Sequence, residues 1–479
     1  MPARADLSNF ELSEMYNTVK ETVLAELNKA TSVSLTTDGW TSRATQGYIT
    51  VTCHYIDLDW KIRNYVLQTR ILEEKHNGEN IGNVLVDCMT EWNIRDKVTA
   101  VVTDNAANMA VAARTAGINT HIACFAHTLN LAAKKGLKQV ETSNTLPKLR
   151  KIATYFHKST TASAVLRHKQ ALCDINKNKL KIDVSTRWNS TYDMIERFLE
   201  QKEAVTAALC DAKLKKDKLD SVTDSELEEL EALKIMLQPF KEATLTMCSQ
   251  KSPTVSVINP MTNLLKTSFE PADTDTQRIT DSKAVMKRDM QNRYTHPEIR
   301  TLLLCATFLD PRFKTLRDVD AQEKSVVFGK VIQLAASAFE KTAALQEPPV
   351  LTHETEEPPK KLQKMSAMSS FFGSYYEEPE SEAGENSVDP AVNKAEEEIA
   401  QYKMYKPISV DDDPLQWWRL HEGQFPLLAT VARSMLAIPG TSVPSERVFS
   451  TAGDIITANR ACLKWHKVDK MLFLKMNMP

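Results

Sequence analysis

The chain has 479 residues, of which 42% are hydrophobic and 25% are charged, a composition typical of a globular protein with room for two or three domains. Its 60 Lys and Arg against 62 Asp and Glu leave a net charge of -2, which excludes the strong overall basic excess of a self-sufficient duplex-DNA binder. Any contact with nucleic acid would therefore be local or lie in a partner.

The eight cysteines stand singly along the chain, without a Cys-x2-Cys pair. This pattern indicates reduced thiols in an intracellular protein, and argues against a disulfide framework or a zinc ribbon. The N-terminal stretch is rich in acids and has no apolar run, and no run of about 18 uncharged apolar residues occurs elsewhere. We therefore expect no secretory signal, no membrane association, and a nuclear or cytosolic location.

The first part of the chain changes from a helical pattern over residues 12–30 to a mixture of strands and helices. Strands are predicted by β-branched or apolar runs at 32–37, 48–56, 63–72, 97–103 and 121–125. Helices between and after the later strands are predicted at 80–92, 105–115 and 126–137. A three-stranded meander followed by alternating helix and strand predicts an α/β core, a mixed sheet with helices on its faces.

Strand patterns disappear from about residue 141 onward. Amphipathic helices are predicted at 140–158, 191–208, 225–248, 280–294, 298–307 and 320–342. Residues 346–392 are rich in Pro, Ser, Gly and acid, which predicts a disordered linker. Further helices are predicted at 395–405 and 426–436, before a last block at 443–478. The chain thus consists of a sheet-containing core, a helical insertion or second domain, a linker and a C-terminal region.

Two aspartates lie at the ends of predicted strands, Asp38 after the first and Asp104 after the fourth. Side chains at corresponding ends of neighbouring strands converge, so the two carboxylates could share Mg²⁺ or Mn²⁺ and support phosphodiester cleavage. The residues alone also allow each Asp to cap a strand or start a helix, Asp104 being placed as an N-cap. Glu446 follows Pro444 early on a predicted helix, where the negative charge of an acidic side chain stabilises the helix N-terminus.

His121, Cys124 and His127 form the densest cluster of ligand-type side chains. Only two of them could face one way on a strand, and no second pair lies nearby to complete a tetrahedral metal site. The spacing therefore favours a structural role, although His127 could instead orient a group beside Asp38 and Asp104.

Two aromatic segments each have two interpretations. Arg187 and Trp188 could hold a phosphate and stack on an unpaired base, or Trp188 could fill the junction between the core and the insertion. The aromatic and apolar residues near the chain end fit either a core or an obligate interface. We assign a dimer interface to Trp417, Trp418, Phe425, Leu427, Leu428, Val448, Phe449 and Leu472.

Six motifs, in this order along the chain, resemble the hAT transposase superfamily, and more closely the zinc-finger BED-domain-containing (ZBED) proteins domesticated from it. They lie at residues 34–42, 101–109, 124–131, 185–191, 414–418 and 438–453. The resemblance implies a ribonuclease H-like mixed sheet, interrupted by a large all-helical insertion and followed by a C-terminal helical hAT dimerisation segment. The corresponding divisions are an N-terminal helix at 1–30, the first part of the core at 31–190, the insertion at 191–345, the acidic linker at 346–392, and at 393–479 a dimerisation region that completes the core.

The resemblance also implies roles for single residues. Asp38, Asp104 and Glu446 match the family's catalytic acids, which use Mg²⁺ or Mn²⁺ when the enzyme is active. The other matched residues are the core motif Cys124 and His127 and the DNA-contacting pair Arg187 and Trp188.

Relatives usually carry an N-terminal BED finger, and the chain shows no such set of Cys and His ligands, so we expect DNA contact through a missing finger or a partner. The resulting hypothesis is a nuclear, homodimeric, transposase-derived protein in transcription or chromatin regulation that needs no cofactor. The alternative is an active cut-and-paste DNA transposase.

Overall fold

The computed structural model describes residues 4–41, 46–140, 143–184, 186–214, 219–344, 390–455 and 465–478. Within these ranges one five-stranded sheet is combined with 17 α-helices. The strands are β1 (Val33–Thr41), β2 (Gly47–Ile56), β3 (Ile62–Ile71), β4 (Val98–Thr103) and β5 (His121–Ala123). The helices of this part are α1 (Arg4–Lys29), α2 (Gly78–Glu91), α3 (Ala107–Thr115) and α4 (Phe125–Val140).

The sheet has the strand order β3-β2-β1-β4-β5. The three strands of the meander pair antiparallel, whereas β1–β4 and β4–β5 pair parallel through the helical connections. This arrangement confirms the predicted mixed sheet of an α/β core. β1 is its central strand, so the residues of β1 have neighbours on both sides and on both faces.

The two faces of the sheet pack against different elements. Leu35 and Val101 lie in a core that α1 and α2 close with Leu27 and Leu85. Val102 belongs instead to the large core of the helical region. The edge strand β3 is covered by the last helix, where Asp469 accepts a hydrogen bond from Thr69 N and Asn477 accepts one from Val66 N. These side chains satisfy edge N–H groups that would otherwise be open to pairing with another strand.

The helical region continues with α5 (Thr145–Lys158), α6 (Thr160–Leu172), α7 (Trp188–Leu209), α8 (Asp224–Met247), α9 (Ile258–Ser268), α10 (Gln277–Gln291), α11 (Pro297–Leu309) and α12 (Ala321–Ala344). Two of these helices, α6 and α9, were not predicted. The Ser/Thr-rich start of α6 is typical of a turn, yet Ser159 caps the helix by accepting a hydrogen bond from Ala162 N. α9 contains Pro260 in its first turn, where proline is tolerated.

The C-terminal region contains α13 (Pro390–Met404), α14 (Pro414–His421), α15 (Pro426–Leu436), α16 (Val443–Ile455) and α17 (Trp465–Asn477). Of the predicted linker, residues 346–389 lie outside the described residues. Residues 390–392 lie in the first turn of α13, so the predicted linker extends too far at this end. No helix in the described part of the chain has the length and apolar character needed to cross a bilayer.

The side chains assigned to a dimer interface lie inside the single chain, with one partial exception. Trp418, Phe425 and Leu428 are fully buried in a core shared with α11, α12 and α13, and Trp418 stacks on Trp60 at a ring distance of 5.9 Å. The partial exception is Phe449, which is half-buried and packs on Trp40. The others are also buried, namely Trp417, Leu427, Val448 and Leu472. In the single chain these apolar side chains therefore close its own core, and their role in a dimer interface stays a prediction.

Candidate active site

One face of β1 is polar although the strand is buried, and the returning C-terminal segment packs on it. Ser34, Thr36 and Asp38 alternate along the strand and therefore point to the same face. Ser34 Oγ donates to Ala437 O at 3.1 Å, and the hydroxyls of Thr36 and Ser445 are 2.6 Å apart. This polar face fixes the segment that carries Glu446 beside the strand that carries Asp38.

The parallel register of β1 and β4 places Asp38 and Asp104 at corresponding positions. Thr36 pairs with Val102, and each Asp lies two residues further along its own strand direction. Asp38 Oδ1 accepts a hydrogen bond from Gly39 N at 2.8 Å, and Asp104 Oδ1 accepts one from Ala106 N at 3.1 Å. The N-cap of α3 is Ala106, so Asp104 precedes the helix and is not its N-cap.

Glu446 reaches the sheet from a distant part of the sequence. Its helix α16 begins at Val443, after a turn in which Gly440 O accepts from Phe125 N at 3.0 Å and Gly440 N donates to Thr254 Oγ1 at 2.8 Å. Ser442 N then donates to Cys124 Sγ at 3.3 Å. The turn is therefore anchored to the start of α4 and to the helical region before the glutamate is reached.

The strand register and the contact between Ser445 and Thr36 place Asp38, Asp104 and Glu446 at one end of the sheet, and their charges act on one another. Burial, then the charge of Glu446 and then that of Asp104, raise the pKa of Asp38 to about 8, while the hydrogen bond from Gly39 lowers it. Like charges raise a carboxyl pKa in this way only at short range. The structure thus brings together Asp38, Asp104 and Glu446, which lie far apart in the sequence.

Glu446 lies between opposing charges. Although its side chain keeps contact with solvent, loss of hydration is the largest cause of its raised pKa; Arg187 and His127 lower that pKa and Asp104 raises it. Arg187 is exposed and His127 is half-buried on the first turn of α4. Two groups from the start of the helical region therefore border the acids, as the sequence allowed for His127.

The donor chemistry of the site fits a hard divalent cation, because carboxylate oxygens are the ligands that Mg²⁺ and Mn²⁺ prefer. A cation at this position would also relieve the repulsion that Glu446 and Asp104 exert on Asp38. Asn105 Oδ1, next to Asp104, is a further buried oxygen with no hydrogen-bond partner. Within the described residues, however, no three His, Cys, Asp or Glu side chains are close enough together to hold one ion.

Trp188 and Cys124 have packing roles in this structure. Trp188 is 3% exposed and packs against Tyr192 and Phe240, at the junction that the second interpretation of the sequence described. Stacking on a base would require this ring to leave that contact. Cys124 is fully buried, and its thiol is the acceptor for Ser442 N. His121 lies nearby, with Nε2 at 2.8 Å from Thr103 Oγ1.

A chain of polar side chains behind the acids was not predicted. Ser445, Thr36 and Thr52 are joined through their hydroxyls, Thr52 lies 2.7 Å from His54 Nε2, and His54 Nδ1 lies 2.7 Å from Asn64 Oδ1. Burial lowers the pKa of His54 to about 4, so the ring is neutral; its Nδ1–H then donates to Asn64, and its Nε2 accepts from Thr52. The polar residues alternating along β1, unusual in a buried strand, could have indicated this chain.

Three family models match the chain, and together they cover more than half of it. They are the ZBED1 RNase-like domain at residues 36–123, the ZBED1 RNase-like helical domain at 122–235, and the hAT family C-terminal dimerisation region at 398–478. The first model spans the sheet with Asp38 and Asp104, and the third spans Glu446.

Relatives match along nearly the whole chain. Zinc finger BED domain-containing protein 4 of Homo sapiens is 25% identical over 494 residues, 100% of this chain and 40% of that protein. Putative AC transposase of Zea mays is 25% identical over 97% of this chain and 59% of its own length. Putative transcriptional regulator tpeD of Talaromyces stipitatus is 22% identical over 99% of this chain and 57% of its own length.

The chain spans about two to three fifths of these relatives. The strand order, the acids that converge from both ends of the sequence, and the three matching models agree with one another. The chain belongs to the hAT family of transposases and transposase-derived ZBED proteins, with an RNase-like core, a helical region and a hAT C-terminal region.

Proposed function

We propose that this chain is a transposase-derived nuclear protein that forms a homodimer and acts on DNA in transcription or chromatin regulation. The observation that carries the proposal is the convergence of Asp38, Asp104 and Glu446 beside the exposed Arg187. A chain of the hAT family thus has acidic and basic side chains at one site, a combination suited to phosphodiesters. Relatives described as a transposase and as a transcriptional regulator support action on DNA. The match to a dimerisation region supports the homodimer.

The proposal is tested with the full chain in cells and in solution. Epitope-tagged chain should concentrate in nuclei and crosslink to discrete genomic sites, and the purified chain should have a mass of twice 53.9 kDa. A cytosolic chain that crosslinks to no DNA would contradict action on DNA. A mass of 53.9 kDa at micromolar concentration would contradict the homodimer.

A second candidate function is metal-dependent DNA strand cleavage, and the position of Asp38 and Asp104 at corresponding ends of β1 and β4 favours it. Asp38 and Asp104, at corresponding ends of β1 and β4, would hold Mg²⁺ or Mn²⁺ between them, with Glu446 on the neighbouring helix beside them. When bound, the ion would polarise a phosphate oxygen and generate a nucleophile. Arg187, whose charge lowers the pKa of Glu446, would hold the phosphate at the site.

Cleavage of a transposon-end oligonucleotide, measured in Mn²⁺ with this chain fused to an intact BED finger, tests the second candidate. We expect cleavage by the fusion and none by its Asp104→Ala variant, whereas Asp96→Ala, an exposed acid that precedes the same strand, should keep full activity. Independently, Mn²⁺ should raise the melting temperature of the original chain but not that of Asp38→Asn. No cleavage and no metal-dependent stabilisation would rule out this candidate.

A further inference from the structure

The positive charge of the chain is concentrated in one stretch. Residues 143–187 contain ten Lys and Arg, two Asp and no Glu, a net charge of +8, whereas the whole chain has a net charge of -2. This basic tract comprises α5, α6 and the irregular segments 173–184 and 186–187 before α7. A basic excess confined to one folded unit is the electrostatic signature of a site for a polyanion.

Only part of this charge is neutralised within the molecule. Lys148 pairs with Glu226, Arg150 with Asp183, Lys169 with Asp211 and, at 3.7 Å, Lys181 with Asp193. The remaining six cations are exposed and have no carboxylate oxygen of the described residues within 4.0 Å: Lys151, Lys158, Arg167, Lys177, Lys179 and Arg187. Neighbouring unpaired cations repel one another, and a bound anion would relieve that repulsion.

Three of these cations border a cleft with a volume of about 370 Å³. Arg167 reaches it from α6, and Lys177 and Lys179 reach it from the irregular segment; the apolar floor consists of Phe156, Leu166 and Leu180.

The backbone of the irregular segment is held in place beside the cleft. Gln170 Nε2 donates to Asn178 O at 2.8 Å and to Gln201 Oε1 at 2.7 Å, and His157 Nε2 donates to Leu180 O at 2.6 Å. Lys177 and Lys179 flank the anchored Asn178, so their ammonium groups are presented by a fixed piece of chain.

The same tract ends at the candidate active site. Arg187, its last cation, is close enough to Glu446 to lower the pKa of that carboxyl group. We propose that the cleft of Arg167, Lys177 and Lys179 binds the phosphodiester backbone of DNA. This inference rests on the proposed action on DNA and adds where the DNA is held.

The test compares the full chain with two triple variants of equal charge change. One replaces Arg167, Lys177 and Lys179 with Gln. The control replaces Arg317, Lys324 and Lys330, which lie outside the tract and have no carboxylate partner among the described residues. Binding of a fluorescent 30-base-pair duplex is measured by anisotropy between about 50 and 200 mM salt, the range over which phosphate contacts lose affinity steeply. Circular dichroism confirms that each variant is folded.

We expect the cleft variant, with Gln at all three positions, to bind DNA about tenfold or more weakly. Its log K should also fall less steeply with log salt, the slope changing by about 2 to 3, because each lost phosphate contact removes about 0.9. The control should follow the wild-type chain. A separate charge-conserving variant, in which Lys177 and Lys179 are replaced with Arg and Arg167 is kept, should bind DNA as the wild-type chain does, since the positive charge is retained.

The failures are distinguishable. If the wild-type chain binds DNA and the cleft variant binds it equally well, the inference is wrong and the proposed function stands. If the wild-type chain itself binds no DNA at about 50 mM salt, the inference is wrong, and the proposed action on DNA is decided by the crosslinking experiment in cells. If the cleft variant loses binding to a polyglutamate peptide but not to DNA, the cleft is a site for an acidic protein and the inference is overturned.

Discussion

Asp38 carries the most strongly perturbed carboxyl group of the candidate active site. Its pKa is raised from 3.8 to about 8, first by burial and then by Glu446 and Asp104. Between these two pH values the folded chain binds more protons at this group than the unfolded chain does. The contribution of Asp38 to stability is therefore most favourable below pH 4 and is lost as the pH rises towards 8.

The variant Asp38→Asn should consequently be more stable than the wild-type chain without divalent cations. Asn keeps the acceptor for Gly39 N and removes the charge, so we expect a gain of about 1 to 3 kcal/mol at pH 8.5 and a smaller gain at pH 5. Thermal unfolding at both pH values measures it. Asp96→Asn, an exposed control, should show no pH-dependent gain; an equal loss of stability at both pH values in Asp38→Asn would contradict the electrostatic account.

Gly440 allows the close approach that brings Glu446 to the sheet. A Cβ at this position would meet Met247 Cε at 2.3 Å and Thr254 O at 2.9 Å. The backbone oxygen cannot move aside without disturbing the hydrogen bond between Gly440 N and Thr254.

We therefore expect Gly440→Ala to destabilise the chain by about 1 to 3 kcal/mol, as overpacking does. Gly329 on α12 is the matched control, because a Cβ there meets nothing within 4 Å. Gly329→Ala should stabilise the chain by about 0.5 to 1 kcal/mol through helix propensity. Urea denaturation of the two variants should give changes of opposite sign, and equal changes would show that the turn tolerates a side chain.

At the scale of elements, β1 and α16 are joined by buried hydroxyl groups. Since the His54 ring is neutral and accepts from Thr52, the direction of the chain is set: Ser445 donates to Thr36, and Thr36 donates to Thr52. Each hydroxyl group in this chain donates its hydrogen bond to the next residue, so the strand of Asp38 and the helix of Glu446 are held in one relative position.

Replacing Thr36 with Val should cost about 1 to 3 kcal/mol, because the buried Ser445 hydroxyl loses its acceptor. Thr36→Ser retains the hydroxyl and should recover most of that loss. In the double variant Thr36→Val with Ser445→Ala, the Ser445 hydroxyl that Thr36→Val leaves without an acceptor is absent. The measured loss of stability should therefore be smaller than the sum of the single losses. Additive losses in chemical denaturation would show that the two hydroxyls act independently.

At the scale of the whole molecule, the C-terminal region completes the fold of the chain. α13, α14 and α15 share a core with α11 and α12, α16 closes the acid site, and α17 covers the edge of the sheet. The region that matches a hAT dimerisation model therefore also holds its own chain together. In the single chain the buried tryptophans belong to this core, whereas their role in a dimer interface stays a prediction.

Trp418→Ala tests this distinction. The ring is fully buried, its Nε1 donates to Leu309 O at 2.8 Å, and it stacks on Tyr402. We expect a loss of about 3 to 5 kcal/mol and a lower melting temperature at every protein concentration. Leu420→Ala, at a side chain 71% exposed on the same helix, should have little effect. A Trp418→Ala chain that stays stable but becomes monomeric would instead assign this residue to an interface.

The sequence by itself predicted the five strands and most of the helices, and it singled out the three acids. β-branched runs and short connections specify the five strands within a few residues, because strand periodicity and turn chemistry are local properties. The motifs around Asp38, Asp104 and Glu446 indicated the family for the same reason. Helices α6 and α9 escaped prediction, since their Ser/Thr and Pro residues favour turns unless the surrounding core selects the helix.

Tertiary structure alone decided which residues meet. The distance of Glu446 from Asp38 depends on a turn at Gly440 and on hydroxyls of β1 and α16 that lie 409 residues apart in sequence. The aromatic residues around Trp418 have the composition of either a core or an interface, and only the packing of α11 to α15 makes them core. Convergence and burial are properties of the whole chain in three dimensions, so no local pattern of residues specifies them.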